Sequence, residues 1–216
     1  MTATAIQGFG VLVSGSGTNL QAILDARARG EIAAPIRVVV SNKPGVRALE
    51  RAEAAGVPTR VLLPRDHAGR EAYDAALAAT LVEAGCDWVV LAGFMRIVGR
   101  GFLDAFGGRV VNIHPSLLPA FPGLHAQQQA LDYGVKVAGC TVHLVDEGTD
   151  TGPIIAQAAV PVLDGDDEAA LTARILVEEH RLFPAALAAI AEGRLVVDTP
   201  TSSTAGARKR VRIVAR

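Results

Sequence analysis

The 216-residue sequence predicts a three-layer α/β fold, in which helices cover both faces of a mostly parallel, twisted sheet. Three observations lead to this prediction. Short apolar runs alternate with amphipathic segments along the chain, which is typical of repeated βαβ units. A glycine-rich turn follows the first apolar run, and a polar stretch rich in proline follows a later one. Because loops at the carboxyl ends of parallel strands bind ligands in open α/β sheets, both stretches are candidate functional sites.

Each element is predicted from the period of its apolar residues and from the turn residues at its ends. Buried strands are expected where short apolar runs stop at turn residues, namely at 9–13, 36–41, 59–63, 87–92, 109–114, 136–145 and 154–161. Helices are expected where amphipathic segments end at a glycine or begin after acidic residues, namely at 20–29, 46–55, 69–85, 124–133 and 168–192.

The composition indicates a domain that binds a small polar molecule. Half of the residues are apolar, 20% are charged and the net charge is −1, which argues against a general nucleic-acid or membrane-surface binder. The amino terminus lacks a secretory signal, and no apolar run approaches the ~18 residues of a membrane span. We therefore expect a soluble, cytoplasmic protein with one domain at 1–198 and a basic tail at 199–216, either mobile or forming an edge strand at 211–214.

The sequence predicts no metal site. Cys86 and Cys140 form neither a CxxC pair nor a His/Cys cluster, so no zinc site or disulfide framework is indicated, and Cys140 is expected in the core. The acidic loop 146–153 lacks the spacing of a calcium loop, and a solvated turn is its ordinary interpretation. Alternatively, one of its carboxylates folds back onto His114 and fixes the orientation and charge of that ring.

The glycine-rich turn at residues 14–19 has the layout of a phosphate site, because it joins a strand to a helix. Its glycines let backbone N–H groups approach an anion, and Ser16, Thr18 and Asn19 add side-chain donors. Leu20 stands where a dinucleotide fingerprint needs its third glycine, and no lysine follows as a P-loop requires. The turn therefore favours a monophosphate over NAD or ATP, with a tight turn that binds nothing as the alternative.

Asn112 and His114 lie two positions apart at the end of a predicted strand, so their side chains share one face. An amide can donate a hydrogen bond to a developing oxyanion, and a histidine can exchange a proton near neutrality. The prolines that follow stop the strand and shape a loop. The pairing suits acyl transfer, although a structural role for both residues explains the spacing equally well.

Two further stretches have both a functional and a structural interpretation. Arg70 is predicted near a helix start, where a cation gains nothing from the helix dipole. It therefore either contacts an anion or is an ordinary exposed arginine. The segment 93–98 could hold a flat aromatic ring at the end of a buried strand, although Phe94 and Met95 suit the core equally well.

Taken together, these stretches resemble the folate-dependent glycinamide ribonucleotide formyltransferases from residue 11 to about residue 196. The matching motifs occur in collinear order at 14–23, 41–43, 70–74, 91–97, 112–126 and 146–153. A match of this length is highly specific. It implies the formyltransferase fold, with a Rossmann-like amino-terminal half.

The resemblance also assigns roles to individual residues. The phosphate of the ribonucleotide would be held by Ser16, Gly17, Thr18 and Asn19. Glu179 occupies a position that contacts the ribonucleotide in relatives, whereas Leu176, one turn earlier, departs from the polar residue expected there. The folate positions would be Arg70, Met95, Arg96, Ile97, Val98 and Asn112. The catalytic trio would be Asn112, His114 and Asp150.

The implied reaction is direct transfer of the formyl group of 10-formyltetrahydrofolate, as co-substrate, to the amine of glycinamide ribonucleotide, with no metal required. Its partners would be these small molecules, with no nucleic acid or membrane, and a homodimer is allowed. The alternatives are a 10-formyltetrahydrofolate hydrolase, a methionyl-tRNA formyltransferase and a non-catalytic nucleotide-binding protein. The first two carry an additional domain, for which 216 residues are expected to leave no room. The third would have no use for the trio.

Overall fold

The computed structural model describes residues 6–198 and 209–215, and a seven-stranded sheet forms its centre. The strands are β1 (Phe9–Val13), β2 (Ile36–Ser41), β3 (Thr59–Val61), β4 (Trp88–Leu91), β5 (Val110–His114), β6 (Val137–Leu144) and β7 (Ile154–Pro161). They are arranged in the order β3-β2-β1-β4-β5-β6-β7. The first five pair in parallel, whereas β6 and β7 add to the sheet antiparallel. The predicted mostly parallel sheet is confirmed.

Helices cover both faces of this sheet. They are α1 (Thr18–Ala28), α2 (Arg47–Ala54), α3 (Arg70–Glu83), α4 (Arg100–Phe106), α5 (Ala126–Tyr133) and α6 (Glu168–Ala191). On one face, α1, α2 and α6 pack against Val11 and Val13. On the other face, α3 and α4 pack against Leu12, as the period of two in a strand requires. The three-layer prediction is thus confirmed; within the described residues, no helix is both long and apolar enough to cross a membrane.

The observed elements differ from the predicted ones mainly in the middle of the chain. The strand predicted at 59–63 ends at Val61, and a short 3-10 helix, Pro64–Asp66, follows. The helix α4 is absent from the prediction, because it has only seven residues and glycines lie at both of its ends. Its apolar residues Phe102 and Phe106 are nevertheless buried, one turn apart. Tertiary packing therefore forms a helix where the local pattern is too short to predict one.

The carboxyl-terminal part forms a separate two-stranded antiparallel sheet of β8 (Leu195–Asp198) and β9 (Arg210–Ile213). The sequence predicts that the basic tail is either mobile or forms an edge strand at 211–214. A strand is present, but it pairs with β8 rather than with the main sheet. Arg212 Nη2 donates to Asp198 Oδ1 at 3.0 Å across this pair. Residues 199–208 and 216 of the predicted tail lie outside the described residues, and the division at residue 198 stays a prediction.

Candidate active site

Three stretches marked by the sequence follow neighbouring strands of the main sheet. The glycine-rich turn follows β1, the segment 93–98 follows β4, and the loop 115–123 follows β5. Since β1 pairs with β4, and β4 with β5, all in parallel, the three loops leave the same edge of the sheet. The topology thus brings the predicted phosphate, folate and catalytic positions to one edge, where open α/β sheets bind ligands.

The antiparallel pairing of β5 with β6 builds a cluster of polar side chains. Its register places Asn112 opposite His143, and His114 opposite Thr141. Residues directly opposed in such a pair share a face of the sheet, so their side chains are neighbours. Asn112 Nδ2 accordingly lies 3.1 Å from His143 Nε2. Two histidines and an amide therefore meet at a buried end of the strand pair.

His114 lies between a carbonyl and a carboxylate and is only 5% exposed. Its Nε2 is 2.9 Å from the Phe121 carbonyl oxygen, and its Nδ1 is 3.4 Å from Asp150 Oδ2. A carbonyl oxygen only accepts hydrogen bonds, so Nε2 carries a proton. A proton on Nδ1 as well would face the carboxylate. The ring of His114 thus has an oxygen acceptor beside each of its two nitrogens.

Asp150 is the carboxylate of the acidic loop that folds back onto His114. The Gly123 N–H donates to its Oδ2 at 2.8 Å, and His143 Nε2 lies 3.6 Å from its Oδ1. Burial acts to raise the pKa of Asp150, but the donated hydrogen bonds and the positive charge around the carboxylate outweigh burial, so the pKa lies below its usual value. Its backbone is left-handed, with φ of 55°. Such strain persists where surrounding contacts over-determine a conformation, as at functional sites.

The loop after β5 is held by side chains from β6 and β7. Thr141 Oγ1 donates to the Ser116 carbonyl at 2.6 Å and accepts from the Leu118 N–H at 3.0 Å. Gln157 Nε2 donates to the Leu118 carbonyl at 2.9 Å. These bonds set the loop, and hence the Phe121 carbonyl that faces His114, in one position.

The glycine-rich turn enters α1 through Gly17, whose φ is +70°. A Cβ at this position would lie 2.6 Å from the Cβ of Ala48 on α2, so glycine is required by both conformation and space. Arg51, also on α2, donates from Nε to the Ser16 carbonyl at 3.0 Å. Because α1 begins at Thr18, the N–H groups of its first turn have no partner within the helix and are available to an anion.

Glu179 on α6 reaches the glycine-rich turn. Its Oε2 accepts a hydrogen bond from Asn19 Nδ2 at 2.8 Å, so the structure brings together two predicted ribonucleotide contacts that are 160 residues apart. Burial raises the pKa of Glu179, and the bond from Asn19 only partly opposes this. Leu176 lies one turn earlier on the same helix and provides no hydrogen-bonding side chain.

The predicted folate positions divide into exposed and buried groups. Met95 and Ile97 are 64% and 62% exposed, while the Val98 side chain packs in the core. Arg96 lies over the ring of Tyr73, with Cζ 5.1 Å from the ring centroid. Arg70 Nε lies 3.8 Å from Asp74 Oδ2, so its charge has an internal partner. At Val98, therefore, the backbone rather than the side chain is available to a ligand.

Two side chains hold the segment 93–98 by hydrogen bonds, one at Met95 and one at Gly99, directly after the segment. Ser14 Oγ accepts from the Met95 N–H at 2.8 Å and donates to Asn42 Oδ1 at 2.6 Å. Asp74 Oδ2 accepts from the Gly99 N–H at 2.7 Å. The hydroxyl of Ser14 thus connects the ends of β1 and β2 to the segment after β4.

Sequence reasoning missed His143 and Thr141 as parts of the site. Both belong to a predicted strand and lie two positions apart, as Asn112 and His114 do. If the two strands had been predicted to pair, this shared spacing would have placed all four side chains together.

Cys140, predicted as core, is buried, and burial raises the pKa of its thiol to about 12. Among residues 6–198 and 209–215, no group of three or more His, Cys, Asp or Glu side chains could hold a metal ion.

The chain is similar in sequence and in structure to known proteins. The family model described as formyl transferase matches residues 9–187. The trifunctional purine biosynthetic protein adenosine-3 of Drosophila melanogaster is 54% identical over 196 residues, but that match covers 89% of this chain and only 14% of the relative. The chain thus spans a small part of this relative.

Two relatives of similar length match nearly end to end. The phosphoribosylglycinamide formyltransferase of Escherichia coli K12 is 47% identical over 185 residues, which are 86% of this chain and 87% of that protein. The crystal structure of glycinamide ribonucleotide transformylase 1 from Symbiobacterium toebii has a TM-score of 0.91 and 54% identity, over 97% of this chain and 95% of that one. The chain belongs to the formyl transferase family.

Proposed function

We propose that this protein transfers the formyl group of 10-formyltetrahydrofolate to the amine of glycinamide ribonucleotide, a step of purine biosynthesis. The observation that carries the proposal is the cluster of Asn112, His114 and Asp150, in which the buried His114 ring lies 2.9 Å from a carbonyl oxygen and 3.4 Å from a carboxylate oxygen. The names of the Escherichia coli and Symbiobacterium toebii relatives agree with it.

In this proposal the substrate amine attacks the formyl carbon directly. The new C–N bond forms as the formyl oxygen becomes an oxyanion, and no covalent bond to the protein is needed. Asn112 and protonated His114 donate hydrogen bonds to that oxygen, a contribution of roughly 3–4 kcal/mol per well-placed donor. An oxyanion is a stronger acceptor than the Phe121 carbonyl, so it would draw the Nε2 proton of His114 towards itself.

Asp150 completes the proposed reaction by holding His114 in its charged form and by assisting proton movement. The attacking amine loses a proton, and the departing folate nitrogen gains one as its bond to the formyl carbon breaks. The products are the formamide of the ribonucleotide and tetrahydrofolate. A lowered pKa keeps Asp150 ionised near neutrality, which this role requires.

Substrate positions in the proposal follow from the loops at the same edge. The N–H groups at Gly17 and the start of α1, with Ser16, Thr18 and Asn19, would bind the phosphate, and Glu179 would contact the ribonucleotide. The folate would lie on the exposed side chains of Met95 and Ile97 and the backbone near Val98. Arg70, Arg96 and Asn112 would supply its polar contacts.

Absorbance at the folate chromophore tests the proposal, with 10-formyltetrahydrofolate or a deaza analogue as formyl donor. Loss of the formyl group should require glycinamide ribonucleotide, and His114→Ala should lower kcat by about 100- to 1000-fold while leaving ribonucleotide binding intact. Equal loss without the ribonucleotide would indicate a hydrolase. Ribonucleotide binding without any formyl transfer would indicate a nucleotide-binding protein, and near-normal turnover by His114→Ala would refute the assignment of this residue.

A further inference from the structure

His143 is a buried polar side chain of the cluster and has no role in the reaction described above. It is 2% exposed, with Nδ1 2.9 Å from the Leu144 carbonyl oxygen and Nε2 3.1 Å from Asn112 Nδ2. We propose that His143 is a positioning residue whose neutral ring fixes the amide of Asn112 with its nitrogen, rather than its oxygen, towards the reacting formyl group. This inference rests on the proposed function.

The first step of the argument is the position of the proton on the ring. The Leu144 carbonyl can only accept a hydrogen bond, so the nitrogen that faces it, Nδ1, carries the hydrogen. In the neutral ring Nε2 then has a free lone pair. The group that faces this lone pair at 3.1 Å must donate, which assigns the nitrogen of the Asn112 amide to this side.

The second step concerns what remains of the amide. Its nitrogen carries two hydrogens, and His143 takes one of them. The other is held in the plane of the amide and points away from His143, where it can meet a developing oxyanion. If the amide turned over, its oxygen would stand in place of the nitrogen and would repel the oxyanion. His143 therefore decides whether the Asn112 amide stabilises the oxyanion or repels it.

The third step concerns Asp150, the other neighbour of Nε2. Asp150 Oδ1 lies 3.6 Å away, which is too long for a hydrogen bond, whereas the Asn112 contact is within the normal range. Nε2 can bond only one of the two, as an acceptor from Asn112 when neutral or as a donor to Asp150 when protonated. The closer contact to Asn112 favours the neutral ring and leaves Asp150 to Gly123 and His114.

Two substitutions separate positioning from simple structural support. In His143→Gln the side-chain oxygen can lie near the position of Nε2 and accept from Asn112. In His143→Asn the side chain is one methylene shorter and reaches only the position of Nδ1. Both are polar, and both sit in the same buried site, so they form a matched pair.

We expect kcat to fall by about 100-fold in His143→Asn, but by less than about tenfold in His143→Gln. The reason is that only His143→Asn removes the hydrogen-bond acceptor that holds the Asn112 amide in its orientation. KM for the ribonucleotide should change little in either variant, and thermal unfolding should verify that both are folded at the assay temperature. Equal kcat values in the two folded variants, or unchanged kcat in His143→Asn, would overturn it.

A second measurement does not depend on activity. In 15N NMR of the histidine-labelled protein, the signals that disappear in His143→Gln belong to His143. They should show a protonated Nδ1 and a bare Nε2. The opposite tautomer, or a doubly protonated ring at neutral pH, would refute the inference even if formyl transfer is established. The expected tautomer without any formyl transfer would instead refute the proposed function and leave the Asn112–His143 bond in place.

Discussion

The pKa values of two carboxylates of the site, Asp150 and Glu179, change in opposite directions on folding. Asp150 accepts from the Gly123 N–H and lies beside the His114 ring, and its pKa is lowered, whereas Glu179 accepts only from a neutral amide and is strongly buried, and its pKa is raised. The difference follows from their partners, because nearby positive charge and donated hydrogen bonds favour the ionised form and desolvation disfavours it. Each carboxylate should therefore change the free energy of unfolding in its own pH range.

For Asp150, the ionised form stabilises the native protein above the unfolded-state pKa of 3.8, and this contribution disappears as the pH falls through the lower folded pKa. The free energy of unfolding of the wild type relative to Asp150→Asn should be constant above about pH 5 and should shrink as the pH falls below that region. Urea unfolding at a series of pH values measures this difference. A difference that grows on acidification would contradict the lowered pKa.

For Glu179, the sign is reversed. A carboxyl whose folded pKa lies above its unfolded value of 4.5 is most favourable below that value, and the native protein loses stability as the pH rises through the folded pKa. Glu179→Gln removes this loss and can still accept from Asn19, so the variant should gain stability relative to the wild type as the pH rises to about 7. Glu178→Gln is the matched control, because the carboxylate of Glu178, the preceding residue, pairs with Arg181 at the surface. A parallel trend in both variants would show that the effect is not specific to Glu179.

At the scale of elements, the site depends on loops that are each held by a few buried bonds. The affinity for a ligand is lower when the loop that contacts it must become ordered on binding, because that ordering costs conformational entropy. Ser14, Asp74 and Thr141 provide such anchors, and each joins a loop to a different strand or helix. Changes at these anchors should therefore affect substrate binding without touching the substrate.

Ser14→Ala tests the anchor of the folate segment. It removes the acceptor for the Met95 N–H and the donor to Asn42, so KM for 10-formyltetrahydrofolate should rise by about fivefold to tenfold, equivalent to ~1 kcal/mol of lost ordering. Steady-state kinetics measure the change. Thr80→Ala is the control, because the Thr80 hydroxyl bonds the Ala76 carbonyl of its own helix, away from this edge. An unchanged KM in Ser14→Ala would show that the segment keeps its position without the hydroxyl.

Gly17→Ala tests the turn that enters α1. The variant combines a left-handed backbone with a Cβ 2.6 Å from Ala48, so we expect α2 to move and the protein to lose about 1–3 kcal/mol of stability. Ribonucleotide affinity should fall with it. Gly15→Ala is the stability control, since a Cβ there meets nothing within 4 Å. Chemical denaturation of the two variants gives the comparison, and equal stability would contradict the steric argument.

At the scale of the whole molecule, the order of strands places the two proposed substrate sites side by side. The proposed phosphate turn follows β1, the proposed folate segment follows β4, and Asn112 and His114 of the proposed catalytic trio lie on β5. The strands β4 and β1, and β4 and β5, are direct neighbours in the sheet. Ligands bound at this edge would contact loops that are far apart in the chain. They should therefore stabilise the fold as a whole, rather than one loop.

Thermal unfolding with each ligand tests this expectation. A ligand at 100 times its Kd adds about 2.7 kcal/mol of stability, and the ribonucleotide and a folate analogue should each raise Tm, with a larger rise when both are present. His114→Ala should show the same shifts, because it changes the chemistry and leaves the binding loops intact. A shift with only one of the two ligands would place the other outside this site.

Several expectations concern the molecule in solution and stay predictions, namely the homodimer, the cytoplasmic location and the division into a domain and a tail at residue 198. Oligomeric state can be measured directly by sedimentation. The division at residue 198 separates two strands that pair with each other, because β8 lies before the predicted boundary and β9 after it. A truncation after residue 198 would remove β9 and expose the edge of β8.

The sequence by itself determined the order of the elements of the main sheet except for α4, the strand–turn–helix of the proposed phosphate site and the shared face of Asn112 and His114, because periodicity and turn chemistry act over a few residues. Tertiary structure alone decided which distant side chains meet. His143 lies 31 residues from Asn112, and Glu179 lies 160 residues from Asn19. These pairs depend on the antiparallel register of β5 with β6 and on the packing of α6 against α1, which are set by burial over the whole sheet and leave no local pattern in the chain.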